Sequence, residues 1–150
     1  MHPTQTVRIS RDEIVGMARG CIGTPYEHQG RVSNGTLDCA GTVVHIYNIN
    51  APKLGLPPYT KTNYGRMPNP KRMVEELRAH LIPIAVGEAR EADVLHFAWK
   101  LNYPAQHLAI LTPTGIVHAH EGVGRVVEHP FTSEWRGRVR GAYRFPGVED

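Results

Sequence analysis

The chain has 150 residues, enough for one domain with its own core and no need of disulfide staples. Hydrophobic residues at 41% and charged residues at 21% are the balance of an ordinary globular protein, and 17 basic against 14 acidic side chains are too even to argue for a nucleic-acid partner. Two cysteines cannot build a disulfide framework, and Cys21 and Cys39 lack a zinc-type spacing, so a reduced thiol with a chemical role stays open.

In chain order, "MHPTQTVRISRDEIV" holds no apolar signal core, and nowhere is an apolar run long enough to span a membrane, so neither export by a signal peptide nor membrane insertion is expected. Ser10 followed by Glu13 is a capping-box pattern that opens a helix through "RDEIVGMARGCI". Ile14, Val15, Ala18, Cys21 and Ile22 share one face of it, and Gly23 and Pro25 end it. "YEHQGRVSNGTL" reads as loop. Asp38 then stands where an N-cap belongs, and "CAGTVVHIYNI" reads as a buried helix, although its β-branched residues would also suit a strand. Residues 51–70 are a proline- and glycine-rich excursion with no regular structure expected. "PKRMVEELRAHL" is a further helix with Pro70 at its start.

From residue 82 the texture becomes short strands: "LIPIAV", "DVLHFAW", "QHLAILT", "GIVHAH", "RVVEH" and "GAYRFP". Helices first and antiparallel strands later predict an α+β fold, and with no repeat and no boundary signal residues 1–150 form a single domain.

A helix N-terminus lowers a thiol's pKa and offers N–H groups to an oxyanion, so Cys39 is expected as a depressed-pKa nucleophile; position alone equally allows a small core residue. Cys21, on an apolar helix face, reads as core. A cysteine nucleophile needs a histidine base oriented by a third polar group. His107 opens an apolar strand, and His118 and His120 lie two apart on one face of the next. A tight "TPTG" turn would fold the two strands into a hairpin that brings His107 beside His118 and His120. His2, His80 and His129 read as solvent-facing or loop-borne, His45 as core, His96 as facing either way, and His28 as a residue that could line a cleft. His107, His118, His120, Asp38 and Cys39 could in principle hold zinc, but no paired spacing such as HExxH is present, so no metal and no cofactor is expected.

"GTPYEHQG", "LDCAG" before an apolar helix, "QHLAIL" and "GIVHAH", in this order and over nearly the whole chain, resemble the NlpC (P-sixty) family of papain-like cysteine peptidases. "GTPY", the proline-rich loop and the "GAYRFP" ending look most like its branch in bacteriophage tails and gene transfer agents. The resemblance implies Cys39 as nucleophile, His107 as base and His118 as the residue orienting it, with His120 as fallback. It implies Tyr26 lining the cleft near the oxyanion and Asp38 as the acidic residue that helps bind a substrate amine. The implied reaction cuts the D-γ-glutamyl-diamino acid bond of a peptidoglycan stem peptide, without cofactor. Implied partners are the stem peptide and other tail-tip or hub proteins, and the implied location is the virion, acting in the host envelope. Many members carry Ser after the cysteine where this chain has Ala40, which bears on how the stem's amine is read. Two alternatives are a catalytically silent tail-tip component of the same fold, and a papain-like amidase or transpeptidase acting on another acyl donor.

Overall fold

A computed structural model describes residues 7–27, 38–60, 70–98, 102 and 105–150. The elements in chain order are α1 (Arg11–Arg19), α2 (Cys39–Leu54), α3 (Pro70–His80), β1 (Ile82–Ile84), β2 (Val94–Phe97), β3 (His107–Thr112), β4 (Gly115–His120), β5 (Arg125–His129), α4 (Ser133–Arg136) and β6 (Val139–Arg144). The six strands form one antiparallel sheet in the order β1-β6-β2-β3-β4-β5. Helices followed by strands give the α+β arrangement that the sequence predicts.

The local signals act as expected at most helix ends. Ser10 Oγ accepts the Glu13 N–H at 3.0 Å and starts α1. That helix closes at Arg19 rather than running to Ile22, which leaves Cys21 buried in the following turn. Asp38 caps α2, its carboxylate accepting the Gly41 N–H. The expectation that residues 51–70 lack regular structure fails at their start: α2 continues through Ala51–Leu54, Pro52 included, and ends on Gly55 in the left-handed region (φ 69°). The missing proline N–H removes a single bond in the last turn, and glycine adopts the terminating conformation without strain. Residues 61–69 of the excursion lie outside the described residues, as do 28–37 of the loop before Asp38, with His28, and 1–6, with His2.

Strand alternation divides the core into two layers. One face of the sheet carries Val94, Leu108, Ile110, Val117, Ala119, Val126 and Tyr143 against Ile14 and Ala18 of α1, Val43 and Ile46 of α2, and Met73 and Leu77 of α3. The other face carries Leu95, Phe97, Ala109, Ile116 and Ala142, covered by Phe131 and Trp135 from the segment around α4. The "TPTG" turn is as tight as predicted: Thr112 pairs with Gly115, and β3 and β4 form a hairpin.

Candidate active site

The site forms where the head of α2 meets the start of β3. Cys39 is the first residue of α2, and its Sγ lies 3.8 Å from the Gln106 carbonyl oxygen. The Leu108 N–H also bears on the sulfur, so the thiol sits against the backbone on both sides of His107. His96 fixes this stretch from beneath: its Nε2 is 2.8 Å from the Ala105 carbonyl oxygen, just ahead of β3. The sequence leaves the direction of His96 open; pairing with Leu108 puts it on the helix side of the sheet.

His107 points the other way. It pairs with Phe97 in the register of β2 and β3, and its ring meets the Phe97 ring edge-on at 4.8 Å between centroids. His107 Nε2 lies 2.7 Å from His118 Nδ1, both side chains being buried. The hairpin therefore brings His107 beside His118, as the tight turn between their strands predicts. The thiol belongs to the helical layer and the imidazoles to the opposite face, so the two can meet only at the end of the sheet, where β3 begins.

His120 shares the face of His118, with 5.4 Å between ring centroids, but its Nδ1 accepts the Val123 N–H in the turn after β4. Between the two candidates for third position, His118 is the one hydrogen-bonded to His107. Tyr26 is held by an edge pairing: Val126 N–H donates to Thr24 O and Tyr26 N–H to Gly124 O, both at 2.9 Å, so residues 23–26 lie along β5. Tyr26 and Cys39 both pack against the helix-side core. Asp38 is buried, and one carboxylate oxygen serves as the helix cap.

The electrostatics correct one expectation. The Cys39 thiol is not lowered by its helix; it is pushed up to about 12, first by burial and then by the Asp38 carboxylate beside it. The N–H groups of Leu108, Ala40 and Cys39 do pull it down, as a helix start should, but desolvation outweighs them. The residue as a whole keeps some exposed surface, so the crowding concerns the sulfur, enclosed by the strand and the helix head. His107 is held well below the ordinary imidazole range by burial and by the neighbouring His118, His120 and His96. His118 is lowered to about 3 by burial and by His129 and His120. The resting pair is thus a neutral thiol and a neutral imidazole.

A further histidine escapes the sequence reading. His129, taken there as solvent-facing or loop-borne, is the last residue of β5, with Nδ1 3.0 Å from His118 Nε2. Trp135 stacks over it at 6.4 Å and packs edge-on against His118 at 5.4 Å. Alternation within "RVVEH" sets His129 on the face of Val127, and the register of β5 on β4, which pairs Val127 with His118, brings the two imidazoles together. His80, also read as solvent-facing, is half-buried with its ring edge-on to Tyr47 and Tyr59. Among the described residues no group of three or more His, Cys, Asp or Glu side chains could hold a metal ion.

The helical layer and the single antiparallel sheet make an α+β domain whose fold matches that of NlpC/p60 papain-like domains. The NlpC/p60 domain of the peptidoglycan hydrolase SagA superposes with a TM-score of 0.62 at 22% identity, covering 91% of this chain and all of that domain. An NlpC/p60 family protein from Bacillus cereus gives a TM-score of 0.63 at 19% identity over 93% of this chain, which spans 41% of the Bacillus protein. RipD from Mycobacterium tuberculosis, a non-catalytic NlpC/p60 domain protein adapted to peptidoglycan binding, gives 0.57 at 16% identity, covering 89% of this chain and 95% of that one. No family model and no curated protein matches the sequence. At these identities the likeness is one of fold.

Proposed function

We propose that this chain is an NlpC-type cysteine peptidase that hydrolyses an amide bond in peptidoglycan stem peptides, between D-γ-glutamyl and a diamino acid. The observation that carries the reading is the buried His107–His118 hydrogen bond at the start of the strand against which the Cys39 thiol rests. With thiol and imidazole both neutral at rest, His107 takes the proton as Cys39 Sγ attacks the carbonyl, rather than beforehand. His118 accepts from His107 Nε2–H and steadies the imidazolium. The Cys39 N–H and the Tyr26 hydroxyl receive the oxyanion. His107 then protonates the leaving amine and activates the water that releases the acyl group. The Asp38 carboxylate is the charge that a stem amine would meet, and Ala40 leaves that amine without a serine hydroxyl.

Mass spectrometry of muropeptides digested by wild type and Cys39→Ala is the test. Wild type should expose a new diamino acid amine, and the variant should expose none. Cleavage persisting in Cys39→Ala would remove the nucleophile assignment, and a different broken bond would point to an amidase or transpeptidase.

A catalytically silent scaffold is the second reading, favoured by the raised thiol pKa and by the similarity to RipD. Wild type that retains sacculi in a pull-down yet releases no product would establish it. We place the protein in the virion, at the phage tail tip among other tail or hub proteins. Immunoblotting of purified particles should detect it, and its absence there would overturn that placement.

A further inference from the structure

Three imidazoles stand in series: His107 Nε2 is 2.7 Å from His118 Nδ1, and His118 Nε2 is 3.0 Å from His129 Nδ1. Each contact joins an Nε2 to an Nδ1, so one choice of tautomer fixes the rest. If His107 Nδ1 is to accept a proton from a thiol, the proton of the neutral ring sits on Nε2 and is donated to His118 Nδ1. His118 must then carry its own proton on Nε2, which needs an acceptor beyond it. His129 Nδ1 supplies that acceptor.

We propose that His129 is a positioning residue: by accepting from His118 Nε2–H it fixes the tautomer of His118, and through it makes His107 Nδ1 the basic nitrogen of the site. The proposal rests on the peptidase reading for its purpose but not for its geometry. The intrinsic preference of a neutral histidine for Nε2–H is slight, a hydrogen-bond partner on either nitrogen overrides it, and with His118 buried bulk water is not that partner. Trp135 holds the arrangement by stacking on His129 while packing edge-on against His118, and Arg138 lies over the Trp135 ring at 4.9 Å. Thus the segment around α4 braces the outer end of the chain of rings.

The experiment combines nitrogen-15 NMR of the histidine rings with assays on muropeptides, using wild type, His129→Asn and His129→Leu. An asparagine Oδ1 replaces Nδ1 as acceptor, and leucine offers none. In wild type and His129→Asn, His118 should be protonated on Nε2 alone. In His129→Leu it should become a mixture of tautomers or invert, with unchanged dispersion elsewhere in the spectrum. Activity should follow: kcat about five- to tenfold lower in His129→Leu with KM unchanged, and close to wild type in His129→Asn. An Nδ1-protonated His118 in wild type, or an unaltered tautomer in folded His129→Leu, would overturn the proposal. Should His129→Leu not fold, the wild-type and His129→Asn spectra still decide it: Nε2 protonation retained in both supports it, and its loss in His129→Asn overturns it. The ring spectra need no turnover, so a wild type that cleaves nothing would sink the peptidase reading while the tautomer result stands by itself.

Discussion

The sulfur of Cys39 is governed by opposing neighbours at close range. Burial and the Asp38 carboxylate push its pKa up to about 12, while three backbone N–H groups pull it down. Asp38 has two roles here, since its carboxylate also caps α2 through the Gly41 N–H. Asparagine separates them: its Oδ1 can still accept that bond, but it carries no charge. Asp38→Asn should therefore lower the thiol pKa and leave the helix start in place. Alkylation by iodoacetamide across a pH series, with peptide mapping to separate Cys39 from the buried Cys21, reads the midpoint. A midpoint that stays or rises would show that the carboxylate does not act on the sulfur. Cys21 offers an internal contrast, since its pKa is also raised by burial but has no acidic neighbour among its causes.

At the level of elements, the hairpin of β3 and β4 and its pairing with β5 place all three imidazoles of the series. Gly115, at the base of the tight turn, is packed so closely that a Cβ there would collide with the His129 carbonyl. Gly115→Ala should push β5 away from β4, destabilising the fold by about 2 kcal/mol. It should also lengthen the His118–His129 contact; urea unfolding measures the first effect and ring NMR the second. A stability equal to wild type would mean that β5 yields at no cost. The hairpin was legible in the sequence because a short turn between alternating strands fixes register locally. The cap of α2 was legible too, because an acidic N-cap before an apolar run is a nearest-neighbour signal. What was not legible depended on distant pairing or on overridden local rules. The place of His129 needs the register of β4 against β5, where it faces Ile116. The continuation of α2 through Pro52 defies proline's usual effect because only the last turn is affected. α4, four residues long, has too few turns to show a period. The thiol pKa went the wrong way because desolvation depends on the layer packed over the sulfur, which no spacing encodes.

Over the whole molecule, charge is sorted by depth. Asp93, fully buried, is held by Arg11 of α1 and, through two bonds of 3.0 Å, by Arg144 of β6, which ties the first helix to the last strand. Three further buried groups, His96, His107 and His118, are imidazoles kept neutral by burial, and they couple stability to pH. His118 binds a proton near pH 6.5 when unfolded but only at about 3 when folded. Between those values the unfolded chain holds the extra proton, so stability is complete above about pH 6.5 and is lost as pH falls toward 3, by about 1.4 kcal/mol per unit for each such ring. His107, lowered for the same reason, acts in the same direction. Glu128 joins later: bonded by Arg19, Thr112 and Thr114, it is lowered to about 2 from 4.5, so its stabilisation is lost only as pH drops below 4.5. Of these groups, only the imidazoles therefore act between pH 6.5 and 4.5. Urea midpoints at pH 7.0, 5.5 and 4.5 should fall steadily for wild type and fall less for His118→Asn, which has nothing to protonate at that position. It is the slope that matters, because asparagine also changes packing at every pH. Equal slopes in the two proteins would mean that His118 takes up its proton in the folded state as easily as in the unfolded one, and that the buried series of rings is open to water.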